Sequence, residues 1–133
     1  MPVQVIDASA LGALVFGEPK AGEIARTLGD SPRAAPPLIW FELASICRRK
    51  IKVHPTQRDQ ILIAFLMAGK LAIEITEVDH GAVVNLAEET GLTAYDGSYL
   101  WLARRGIDCL GWQNAKSSPI PLGRGCRWKL SNH

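Results

Sequence analysis

The sequence lacks most of the features that would identify it at once. No apolar run approaches the roughly 18 residues needed to span a bilayer. Cysteine is scarce: three residues, with no Cys-x-x-Cys pair, which argues against a disulfide scaffold and a zinc ribbon. Charge of one sign is not in excess, and a net charge of +2 is too small to argue for nucleic acid by itself. The opening MPVQVIDAS has no basic residue of the kind that begins a secretory signal. Gly-x-Gly-x-x-Gly, the phosphate-binding P-loop, His-Glu-x-x-His and Gly-x-Ser-x-Gly are all missing, and His54, His80 and His133 show no ligand spacing. There is no internal repeat. What remains is a chain of 133 residues, 47% hydrophobic and 21% charged, the size and balance of one folded domain. The expectation is a soluble protein of the cytoplasm.

Composition shifts along the chain. Residues 1–103 have a charge balance of −3, whereas residues 104–133 have one of +5, with Asp108 the one acid there. From Gly111 onward Gly, Pro, Ser, Asn and Trp replace any apolar period. Ser117-Ser118-Pro119-Ile120-Pro121 cannot run as a helix.

The rest alternates between strand and helix signals. Val3–Ile6 reads as a buried strand ending at Asp7, and Asp7 or Ser9 suits the N-cap of a helix over Ala10–Phe16. Helices are expected over Ala21–Leu28, Leu38–Lys50 and Gln57–Ala68, the last opened by Pro55-Thr56 and stopped at Gly69. Ala35-Pro36-Pro37 reads as a boundary, and Leu71–Ile75 as a strand. Asp79 caps His80–Thr90, which Gly91 ends; Thr93 caps Ala94–Arg105, which Gly106 ends. Ile107–Leu110 is a short strand candidate. Strands alternating with helices predict an α/β fold around a parallel sheet.

Three carboxylates stand where apolar residues are expected. Asp7 follows the first strand, at the rim where open parallel sheets bind ligands, although taken alone it better suits a helix cap. Glu42, on a helix, has Leu38, Ile39, Ser45 and Ile46 as neighbours, so it lies on the apolar stripe. A carboxylate there is costly unless it is paired or binds a metal. Asp96 opens an otherwise apolar helix between Leu92, Thr93, Tyr99 and Leu100, where the helix dipole alone would favour it. Converging carboxylates repel one another and persist where a hard divalent cation offsets the repulsion. Such an ion holds a phosphate and activates water, which points to phosphodiester hydrolysis. Cys47 and Cys109 read as core, Cys126 as an exposed thiol. Trp40, Phe41, Tyr99 and Trp101 read as core or dimer surface rather than base-stacking platforms.

These residues resemble a known family. VIDASAL at 5–11, WFELASICRR at 40–49 and TAYDGSYLWLARR at 93–105 are similar to signatures of the PIN-domain ribonucleases, most of all the VapC-type toxins of bacterial toxin–antitoxin pairs. The resemblance covers about residues 3–110, taken as a PIN-like domain of residues 1–110, with a divergent basic tail at 111–133. It implies a three-layer α/β/α sandwich with a central parallel sheet and an acidic site for Mg²⁺ or Mn²⁺. It implies cleavage of RNA, often tRNA or rRNA, silencing by a cognate antitoxin, and a homodimer. By matching motifs, Asp7, Glu42 and Asp96 carry over as catalytic metal ligands, with Ser9 and Ser98 as supporting polar positions. Arg48, Arg49, Arg104 and Arg105 are candidates for holding the RNA backbone, though each also suits a solvated helix end.

The resemblance fails at one place. The family normally has a fourth acid after the strand that follows the TAYD helix. Here Gln113 or Asn114 stands near that position, as a supporting group without charge. Beyond Lys116 the tail has the texture left by a reading-frame shift. Two functions follow: a metal-dependent endoribonuclease, or a catalytically impaired PIN fold that binds antitoxin or RNA. A phosphatase with Asp7 as nucleophile would want an Asp two residues later, where Ser9 stands.

Overall fold

The computed structural model describes residues 3–105. Within them the chain is mixed α/β: β1 (Gln4–Val5), α1 (Ala8–Val15), α2 (Ala21–Leu28), β2 (Arg33–Ala35), α3 (Ile39–Val53), a 3₁₀ turn at Pro55–Gln57, α4 (Arg58–Ala68), β3 (Ile73–Ile75), α5 (His80–Thr90) and α6 (Ala94–Arg104). The strands form a parallel sheet in the order β1-β2-β3. No helix among the described residues is long and apolar enough to cross a membrane.

Local chemistry sets most boundaries. Asp7 Oδ1 accepts from the Ala10 amide at 2.9 Å, Asp79 Oδ1 from Ala82 at 3.0 Å, and Thr93 Oγ1 from Asp96 at 3.1 Å, so three expected caps are in place. Gly91 ends α5 with φ +75°, a left-handed geometry that glycine adopts without a side-chain penalty. Helix α3 runs three residues past the expected end at Lys50, because the basic cluster is compatible with helix and Pro55 is the first residue that stops it.

β2 is the element the sequence reading passes over. Arg33-Ala34-Ala35 has little intrinsic strand preference and precedes two prolines. Its extended state comes from its neighbours: Gln4 pairs with Arg33 and Val5 with Ala34 on one side, and Arg33, Ala34 and Ala35 with Ile73, Glu74 and Ile75 on the other. Ala34 and Ala35 are fully buried in the core beside Ile6, Leu11, Ile39, Leu43 and Leu100. Helices α1 and α3 meet at Gly12, where an added Cβ would lie 3.3 Å from Ile46 Cδ1. That close approach brings α3, with Glu42 in its first turn, against the helix that Asp7 caps.

The expected strand Ile107–Leu110, the tail, and the candidates Gln113 and Asn114 lie outside the described residues.

Candidate active site

Asp7, Glu42 and Asp96 line one cleft of about 420 Å³, together with Ser9, Arg49 and Tyr99. Three different elements deliver the acids. The chain leaves β1 in extended geometry at Asp7, whose side chain turns back onto the α1 amides and is 2% exposed. Glu42 and Asp96 each sit in the first turn of a helix, α3 and α6, where the helix N-terminus favours negative charge.

Tyr99 lies among them. It is 2% exposed, and its hydroxyl donates to Glu42 Oε1 at 2.6 Å, joining α6 to α3 across 57 residues of sequence. Burial pushes the Tyr99 hydroxyl far above its usual range, and the charges of Glu42 and Asp7 add to the effect. Tyr99 is therefore held neutral, as a hydrogen-bond donor to Glu42.

Glu42 is half-buried. Burial raises its carboxyl above the ordinary carboxylate range, the Tyr99 hydrogen bond partly opposes this, and the charge of Asp96 raises it further. The folded chain thus holds the Glu42 proton more tightly than the unfolded chain. Stability falls as pH rises from the ordinary carboxylate value through the raised one, and stays lower above it. Glu42→Gln removes this penalty and keeps a carbonyl oxygen for Tyr99. Thermal melts should show the variant more stable than wild type at pH 7 and no more stable at pH 3, where Glu42 is protonated in both the folded and the unfolded wild-type chain. A gain at pH 3, or a loss at pH 7, would contradict this reading of Glu42.

The structure sorts the other candidates. Ser9 and Arg49 line the cleft. Ser98 does not: it is buried, and its hydroxyl donates to the Tyr95 carbonyl at 2.7 Å, a back-bond to its own helix. Arg48, Arg104 and Arg105 are exposed and lie outside the lining, with the Arg105 guanidinium 5.0 Å over the Trp101 ring. Cys47 is buried, as expected. Tyr99, whose helical spacing predicts core or dimer surface, is core and also part of the cleft. The signal available was a tyrosine on an apolar stripe, whose buried hydroxyl requires a partner.

The oxygen donors suit a hard cation. Among the described residues, however, no three His, Cys, Asp or Glu side chains stand close enough to hold one ion together. Mg²⁺ is commonly held by one or two carboxylates while keeping several waters. Comparison with known protein families and with characterised proteins gives no match for this chain.

Proposed function

We propose that this chain is a divalent-cation-dependent endoribonuclease of the PIN-domain type, similar to the VapC toxins. The observation that supports this most is the lining of one cleft by three acids that are far apart in sequence. The small parallel sheet with Asp7 at the carboxyl end of β1 agrees with it. The three-layer sandwich, the homodimer and a silencing antitoxin belong to the same proposal.

In this reading Asp7, Glu42 and Asp96 would hold Mg²⁺ or Mn²⁺. The ion, when bound, supplies charge neutralisation at the phosphodiester and acidifies an attacking water. The protein's own groups prepare for that. The Ala10 amide fixes one Asp7 oxygen. Tyr99 fixes Glu42 Oε1. Arg49 places a cation in the same cleft as the three acids, suited to a backbone phosphate.

Incubation with total tRNA tests the proposal. Cuts are expected in Mg²⁺ or Mn²⁺ and none in EDTA. Cleavage that persists in EDTA, or no cleavage in any divalent ion, would remove the hydrolase. The second reading, a binding module without catalysis, is favoured by one observation: the acids as they stand do not converge closely enough to share an ion. It predicts antitoxin or RNA binding in a chain that never cuts.

A further inference from the structure

Seven aromatic residues lie among those described, and five of them are buried or partly buried: Phe16, Trp40, Phe65, Tyr99 and Trp101. The remaining two, Phe41 and Tyr95, are 81% and 65% exposed. Both line the acidic cleft. Each immediately precedes one of the acids, Glu42 on α3 and Asp96 on α6. The other large apolar side chains left in solvent, such as Ile63, Leu66 and Met67, are not aromatic and do not line this cleft.

This distribution has a chemical meaning. An exposed aromatic ring presents a flat π-face, and every nucleobase offers a matching face. A base within a duplex has both faces covered by its neighbours, so only an unpaired base can use such a ring. Arg49 on the same cleft provides a partner for the connecting phosphate. We propose that Phe41 and Tyr95 form a stacking site that selects RNA with unpaired bases and sets its register over the acids. The inference rests on the nuclease reading of the cleft and adds how the substrate is chosen. Phe41 and Tyr95 are here binding residues for the substrate's bases, and the acids act on its backbone.

The test is binding of a short, fluorescently labelled single-stranded oligoribonucleotide, measured by anisotropy in Ca²⁺, with a blunt RNA duplex as competitor. Wild type should bind the single strand, and the duplex should compete poorly. Phe41→Ala and Tyr95→Ala should each weaken binding about 5- to 150-fold, the range of one lost base–aromatic stack. Phe41→Trp should retain it, because the indole restores the face. Melting curves should be little changed, since both side chains are exposed. The site is overturned if either alanine variant binds as wild type does, if the duplex competes equally, or if the substitutions alter only self-association in sedimentation. Cleavage in Mg²⁺ separates the two claims. A wild type that binds through these rings and never cuts keeps the stacking site and loses the hydrolase. Cutting with unchanged KM in both alanine variants keeps the hydrolase and loses the stacking site. A wild type that neither binds nor cuts loses both.

Discussion

Asp7→Asn should lower divalent-dependent RNA cleavage at least ~100-fold while leaving the fold nearly as stable as wild type. Asparagine is as good an N-cap as aspartate, so the bond from the Ala10 amide survives. What is lost is one negative charge, at the site where the proposed ion would be held. Asp7→Ala removes the cap as well, and its melts should show a further loss of about 1 kcal/mol. The pair therefore separates the two roles that one side chain fills. Equal cleavage by Asp7→Asn and wild type would reduce Asp7 to a helix cap. Equal stability of the Asn and Ala variants would deny it the cap.

Leu43→Ala should be the most damaging of these substitutions to stability. Leu43 is fully buried and follows Glu42 on α3, and its Cδ1 lies 3.7 Å from the Cβ position of Gly12 on α1. Truncation leaves a void where two helices approach closely. The loss of transferred area plus the cavity amounts to about 3 kcal/mol. For a domain of this size the melting midpoint should fall by roughly 10 °C. A fall of only a degree or two would mean that α1 and α3 close the gap, and that Gly12 does not fix their spacing. Cleavage, measured well below the midpoint, should fall less than in Asp7→Asn, because the acids keep their charges.

The sequence makes legible whatever is decided within a few residues. The caps at Asp7, Asp79 and Thr93 are visible because a short polar side chain before an apolar period has one efficient use. Gly91 is visible because a helix end needs the geometry that glycine allows. β2 is hidden, since Ala34 and Ala35 become strand through pairing with both neighbours rather than through their own preference. Glu42 stands out because charge on an apolar stripe is conspicuous, and the structure brings it to one cleft with Asp7 and Asp96. Ser98 stays out of the cleft lining, because a helical serine can satisfy itself on the preceding turn. The arginines are sorted by face: a run such as Arg48-Arg49 covers more than one side of a helix, and of the four candidates only Arg49 reaches the cleft. Phe41 and Tyr95 are hidden because an aromatic at helical spacing is ordinarily core, and only the packed structure tells which two rings are left outside.

Calorimetric titration with Mn²⁺ tests the central claim, that Asp7, Glu42 and Asp96 act as a single ion site. Wild type should bind saturably, and Asp7→Asn, Glu42→Gln and Asp96→Asn should each weaken that binding at least about tenfold. Absence of binding by wild type, or binding that all three substitutions leave intact, would contradict it.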